Sequence, residues 1–401
     1  MSLTVKGPEP EQRPAAKRLR VAVLNRTFSP TGGGAERYSI ALVEQLAARH
    51  DIHVFAQTIE HQWPGVTYHL IATPLRRPRW INQLWFAAAT WWATRHRFDV
   101  VHSHENTWHG NVQTVHVLPV KHNLFNGREG FKRALRCLKV VTSPRLLTYL
   151  GLERWRYAPQ DRRQIVVTSE SLRGIMVGSY PAAGPLLSVI TPGIDLPHLT
   201  QGVDAKKSTR AAARQRLLLP AAGTCLLFIA NDFRKKGFNT LLNALVHLPE
   251  STVVAVVGNP RQTHDFSHTI NQLKLGHRVF FLGRMSDISQ AYLAADCLVH
   301  PTFEDTFAMV VLEAMSYGLP CVVSGPDFCG ISGLLENRLN ALLLTDPRDD
   351  RALGLLLQEL LRDADLRRTL SLQGLSFATR YRWSALAEQQ DAVYRAAHGA
   401  T

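Results

Sequence analysis

From residue 19 onward, short apolar runs rich in β-branched residues alternate with segments of helical periodicity, and that alternation confines the chain to a parallel α/β architecture. LRVAVLN (19–25) leads into the glycine-rich FSPTGGGAER, then the helical YSIALVEQLAARH, then a second strand, IHVFAQ (52–57). This is the βαβ unit of a parallel sheet. FDVVHSH (98–104) and QIVVTSESLRGIM (164–176) repeat the strand-then-loop theme. A second series starts near residue 224 with TCLLFIAND, TLLNALVHL, STVVAVVGN and HRVFFLGRM, and continues through DCLVHPTF, TFAMVVLEAMSYG and PCVVSG to NALLLTDP. The expectation is two doubly wound α/β domains joined near TPGIDLPHL (191–199), followed by a terminal helix in RWSALAEQQDAVYRAAH.

A length of 401 residues fits two domains. Lys and Arg number 46 against 32 Asp and Glu, a formal charge of +14, which favours anionic partners. Nucleic acid is not expected among them, because no helix-turn-helix, zinc-finger or RRM signature occurs. The five cysteines are scattered without a C-x-x-C pair, as in a cytoplasmic protein with reduced thiols and no zinc site. MSLTVKGPEPEQRPAAKR (1–18) lacks the apolar core of a signal peptide and reads as a disordered leader. No run approaches the roughly 18 apolar residues of a membrane span.

The stretch FEDTFAMVVLEAMSYGLP (303–320) places Glu313 inside an otherwise apolar run. Asp305 and Thr306 are good N-cap residues, while Gly318 and Pro320 are stop signals, so a helix is expected to begin at 305–306. In an open α/β sheet, ligands sit where such helices begin. The N–H groups of Phe307, Ala308 and Met309, with the helix dipole, suit a phosphate. A buried carboxylate needs donors. The vicinal hydroxyls of a ribose would satisfy Glu313, and so would a basic neighbour.

Other stretches carry candidate chemistry. NDFRKKGF puts Arg234, Lys235 and Lys236 after a strand, beside a glycine that permits close backbone approach. Gly33 and Gly34 belong to the first glycine-rich turn. The segment 101–122 holds five histidines, among them His102, His104 and His116. PLRRPRWINQLWFAAATWWATRHRF (74–98) interleaves four tryptophans with arginines, a composition suited either to a buried helix with a charged end or to an anionic membrane surface.

FEDTFAMVVLEAMSYGLP resembles the E-x₇-E signature of family-4 retaining glycosyltransferases of GT-B fold. The likeness extends in order from about residue 19 to 397. It implies two Rossmann-like domains facing a cleft: 19–195 for the acceptor, 196–379 for the nucleotide-sugar, and 380–401 as a helix crossing back. It implies that Glu313 holds the donor ribose and that Lys235 and Lys236 bind its diphosphate. Asp305 takes the place of the signature's first glutamate, a shorter acid at that position, with Glu304 beside it. Gly33 and Gly34 would line the cleft, Arg173 of VTSESLR would face it, and Arg284 of GRMSD would shield the base. His116 of TVHVLP would seat the sugar, with His102 and His104 near the acceptor. Gly193 and Asp195 would shape the hinge. Catalysis would fall to His116, Lys236 and Glu313, without metal or other cofactor. Among such enzymes the chain looks most like lipopolysaccharide core glucosyltransferases. That implies UDP-glucose as donor, a lipid-linked or lipopolysaccharide acceptor, and a peripheral place on the cytoplasmic face of an anionic inner membrane. A GDP-mannose-dependent mannosyltransferase and a non-catalytic nucleotide-binding module remain as alternatives.

Overall fold

The computed structural model describes residues 17–30, 33–75, 77–197, 203–285 and 287–399, with backbone alone for 203–207. The leader expected over 1–18 lies outside the described residues except at positions 17 and 18. Seven parallel strands form the first sheet, in the order Val66–Leu70, Asp51–Ala56, Arg20–Leu24, Val100–Ser103, Val112–Val115, Gln164–Val167, Leu187–Val189. Six parallel strands form the second: Val279–Gly283, Thr252–Gly258, Thr224–Ala230, Cys297–His300, Cys321–Ser324, Leu342–Leu344. In each sheet the chain starts centrally, moves to one edge, then returns to build the other side.

That reversal sets where a ligand crevice forms, because the loops leaving the two strands at the reversal diverge to opposite faces. In the first sheet these strands are Arg20–Leu24 and Val100–Ser103, and their loops begin at Asn25 and His104. In the second they are Thr224–Ala230 and Cys297–His300, with loops beginning at Asn231 and Pro301. The glycine-rich loop, the Lys235–Lys236 loop and the loop leading to Glu313 leave these strand ends, while His116, Arg173 and Arg284 follow other strands.

Both faces of the second sheet are covered, so its strands are apolar without alternation. Leu227, Ile229 and Ala255 enter one core cluster, while Leu226, Phe228 and Val254 enter the other. Successive side chains point to opposite faces of a strand, and each face here meets helices.

The terminal helix Trp383–His398 crosses back to the first domain, as expected. Trp383, Leu386, Ala387, Val393 and Tyr394 join a cluster with Val21, Val23, Leu42 and Val54. Burying each large apolar side chain contributes about 1.5–3 kcal/mol. Polar contacts fix the register: His50 Nε2 lies 2.8 Å from Asp391 Oδ1, and His102 Nδ1 lies 2.7 Å from the Tyr394 hydroxyl. The Ile194 N–H donates to the Tyr381 carbonyl at 2.8 Å. Gly193 is required here, since a Cβ would stand 2.8 Å from Leu386 Cδ1 and 2.9 Å from the Trp383 nitrogen.

Among the described residues no helix is long and apolar enough to cross a membrane. The cysteines are free thiols, Cys137 exposed and the other four buried. Burial pushes the Cys225 thiol up to about 12, which keeps it protonated.

Candidate functional site

The loop after Thr224–Ala230 turns back on itself at Gly237, whose φ is +78°. A Cβ there would lie 1.9 Å from the Pro301 carbonyl oxygen, so glycine lets this loop lie against the one leaving Cys297–His300. The close approach is to protein backbone. It brings Lys235 and Lys236 against Glu304 and Asp305: Lys236 Nζ lies 2.6 Å from Asp305 Oδ2 and donates to the Glu304 carbonyl at 2.7 Å. Lys235, more exposed, reaches Glu304 Oε1 at 3.4 Å. Arg234 points away toward Asp265, 3.9 Å off.

Asp305 is the hub of this loop pair. Its Oδ2 also lies 3.2 Å from His300 Nε2, and its Oδ1 accepts from the N–H groups of Phe307 at 3.2 Å and Ala308 at 2.8 Å. Burial pushes its carboxyl up, but Lys236 and His300 outweigh this and hold it well below the usual carboxylate range.

These bonds correct two expectations. The helix is Met309–Ser316, three residues later than Asp305–Thr306, with Ala308 left-handed at φ +70° as its N-cap. The Phe307 and Ala308 N–H groups are taken by Asp305, and both residues are buried. Of the three positions expected to meet a phosphate, only Met309 begins the helix and belongs to its open first turn. The shorter acid at 305 thus caps its own loop, the local side-chain-to-backbone pairing that aspartate favours.

Glu313 lies one turn inside that helix and is mostly buried. Tyr292 donates its hydroxyl to Oε2 at 2.6 Å, and Arg37 Nη1 stands 2.9 Å from Oε1. Arg37 belongs to the first domain, on helix Gly34–Leu46, so this ion pair crosses the cleft. The charge of Glu313 raises the Arg37 pKa, against the opposing effect of burial. Sequence reasoning missed Arg37. Its signal was its place three residues after Gly34, at the start of a helix facing the second domain.

Gly33 and Gly34 do line this cleft. A Cβ on Gly33 would lie 3.7 Å from Asn231 Nδ2, and one on Gly34 would lie 3.5 Å from Met309 Sδ. His116 also faces the second domain, its carbonyl accepting from Thr306 Oγ1 at 2.8 Å. Ser169, the N-cap of helix Glu170–Ser179, donates to the Thr306 carbonyl at 2.7 Å. His116 Nε2 is 2.8 Å from His104 Nδ1, leaving Nδ1 of His116 for a ligand. Burial lowers the pKa of His116 to about 3, with Arg156 adding to it, so the ring is a neutral hydrogen-bonding group. His102 is buried, with both ring nitrogens on protein groups, Thr114 and Tyr394.

Two expected donor residues make no hydrogen bond or ion pair with this cluster. Arg173 is exposed and pairs with Glu170 at 3.4 Å, one turn back on its own helix. Arg284 is exposed at the end of the edge strand Val279–Gly283. Among the described residues no group of three or more His, Cys, Asp or Glu is placed to hold a metal ion.

Both halves of this site match known families. The family described as Glycosyltransferase Family 4 matches residues 32–197, and Glycosyl transferases group 1 matches residues 209–375. The chain belongs to the family-4 glycosyltransferases of GT-B fold, and it is an enzyme of that class. It is 26% identical to a D-inositol 3-phosphate glycosyltransferase of Xylanimonas cellulosilytica over 95% of this chain and 97% of that protein. It is 28% identical to the lipopolysaccharide glucosyltransferase WaaG of Escherichia coli over 55% of this chain and 58% of WaaG. Its fold is similar to a crystal structure of WaaG, a glycosyltransferase involved in lipopolysaccharide biosynthesis, with a TM-score of 0.79, 20% identity, and coverage of 93% of this chain and 99% of that one. It is also similar to Anabaena HepE in complex with UDP-glucose, with a TM-score of 0.72, 18% identity, and coverage of 94% and 99%.

Proposed function

We propose that the enzyme transfers a hexose, glucose from UDP-glucose, to a membrane-held acceptor, a heptose of the lipopolysaccharide inner core, with retention of anomeric configuration. The observation that carries this reading is the meeting of Lys235, Lys236, Glu313, Gly33 and Gly34 at the strand-end crevices of both domains. A ribose hydroxyl takes the place of Arg37 on Glu313. Lys235, Lys236 and the first turn at Met309 face the diphosphate and stabilise the charge that grows on it as the glycosidic bond breaks. His116 seats the sugar through Nδ1. The acceptor oxygen bonds to the anomeric carbon on the face from which the diphosphate leaves, and its proton passes to the departing phosphate oxygen. No metal takes part in this scheme. HepE, similar in fold, is known in complex with UDP-glucose, which favours a uridine donor.

The membrane part of the proposal rests on helix Gly130–Val141 in the acceptor domain. Phe131, Leu135, Leu138 and Val141 lie exposed along one face, at 77%, 51%, 62% and 68%. Lys132, Arg133, Arg136 and Lys139 flank them. An apolar stripe bordered by cations suits the interface of an anionic bilayer. The Trp-rich helix Arg79–Thr94 shares this domain, with Trp85, Trp91 and Trp92 exposed. We place the enzyme on the cytoplasmic face of the inner membrane.

A second reading of the acceptor is a phosphorylated inositol, favoured by the Xylanimonas relative, which aligns with nearly the whole chain. Thermal-shift titration with UDP, UDP-glucose, UDP-galactose, UDP-N-acetylglucosamine, GDP and GDP-mannose tests the donor, since a ligand of the folded state raises its midpoint. Stabilisation by UDP and UDP-glucose is expected. Stabilisation by guanosine species alone would turn the assignment to a mannosyltransferase. Transfer assays with heptosyl and inositol phosphate acceptors separate the two acceptor readings.

A further inference from the structure

A cavity of about 710 Å³ lies at the far end of the second domain from the cleft, where strands Thr224–Ala230, Cys297–His300 and Cys321–Ser324 begin. Its walls include Arg210, Arg367, Arg368, Asp296, Tyr292 and Tyr317. The volume suits a small ligand. The one carboxylate among these six is already engaged: Asp296 Oδ1 meets Arg210 Nη1 at 2.6 Å, while Oδ2 meets Arg214 Nη2 at 2.6 Å and the Cys225 N–H at 2.8 Å.

The arginines keep donors beyond these bonds, Arg210 after its pairing with Asp296 included. Arg367 donates only through Nη1, to the carbonyls of Leu360 at 2.7 Å and Leu361 at 2.6 Å, which fixes its guanidinium and leaves Nη2 and Nε. Arg210 Nε is buried without an acceptor. Arg368 forms no hydrogen bond or ion pair with the described residues. Planar guanidinium forks with donors to spare match phosphate oxygens. Tyr317 stacks on Tyr292, ring centroids 5.1 Å apart at 23°, which adds a flat apolar wall. The same Tyr292 sends its hydroxyl through to Glu313.

We propose that this cavity binds a phosphate-bearing small molecule distinct from the donor, and that its occupancy is read at Glu313 through Tyr292. The read-out half rests on the assignment of Glu313 to the donor ribose; the binding half does not.

Calorimetric titration of the full chain with inorganic pyrophosphate tests the site. Arg368→Ala removes an exposed side chain that makes no hydrogen bond or ion pair with the described residues, and Lys235→Ala removes an exposed cation of the cleft, so both variants keep the fold. Binding that persists in Lys235→Ala and weakens about tenfold in Arg368→Ala, the loss of one charge-assisted hydrogen bond, supports the site. Absence of binding, or loss in Lys235→Ala with Arg368→Ala unaffected, overturns it. The read-out is tested by titrating UDP with and without pyrophosphate. A UDP affinity that shifts in wild type but not in Arg368→Ala supports coupling, and an unshifted affinity overturns it. Failure of UDP to bind wild type at all would overturn the donor reading and the read-out, and the pyrophosphate comparison would still decide the site.

Discussion

Arg37 Nη1 and Glu313 Oε1 are 2.9 Å apart, although one belongs to the first helix of the first domain and the other to a helix of the second. With Tyr292 on Oε2, the carboxylate has both oxygens engaged before any donor arrives. A ribose hydroxyl that takes the lone pairs now facing Arg37 competes with it, and the ion pair across the cleft is the more solvated of the two contacts. Arg37→Ala removes that competition. UDP binding is expected to tighten by up to about fivefold, the worth of a partly solvated ion pair, about 1 kcal/mol. Isothermal titration decides the matter, and an unchanged or weaker affinity would show that ribose and Arg37 do not compete.

Lys236 neutralises a buried carboxylate, so its loss costs more than its own hydrogen bonds. Lys236→Met leaves Asp305 charged and without its cation, a change expected to destabilise the protein by about 3 kcal/mol. Asp305→Asn with Lys236→Met restores part of this, because no isolated charge remains. Urea unfolding of the single and double variants measures both. Additive losses would mean the pair is not coupled.

His102 is fully buried between Thr114 and Tyr394, and burial, with smaller effects of His116 and Arg156, lowers its pKa to about 3. The unfolded state takes up a proton near pH 6.5, which the folded state refuses. The sign follows: this contribution is full above about pH 6.5 and falls by about 1.4 kcal/mol per unit as pH drops toward the folded pKa. Unfolding free energies at pH 7.5 and 5 should therefore differ by about 2 kcal/mol on account of His102 alone. A His102→Asn variant whose stability falls just as steeply between those pH values would exclude this cause.

Phe131 and Leu138 are exposed, so charging them should leave the fold untouched. Phe131→Asp with Leu138→Asp is expected to change unfolding free energy by less than about 0.5 kcal/mol. The same pair should abolish sedimentation with vesicles of phosphatidylglycerol and phosphatidylethanolamine, because it removes apolar area and adds repulsion to the anionic headgroups. Retained binding would place the membrane surface elsewhere on the chain.

Much of this architecture was legible in the residue pattern, because parallel strands covered on both faces must be apolar throughout and their helices must carry a stripe. Apolar TCLLFIA and STVVAVVG stand where that logic puts them. The start of the helix around Glu313 did not follow. Asp305 looked like a simple N-cap in sequence, but its carboxylate meets Lys236 and His300, and the helix begins only after the chain has turned through a left-handed Ala308.

The sequence alone determined the two sheets, the order of their motifs and the family, because strand and helix periodicities and short loop motifs are local properties. Only the tertiary structure decided which charges meet. Arg37 reaching Glu313, the Asp305 hub and the Arg-lined cavity with Tyr292 in its wall each join residues distant in the chain. Periodicity carries no record of such contacts, since they depend on how two domains and the terminal helix pack, and on which buried polar group finds a partner when water is excluded.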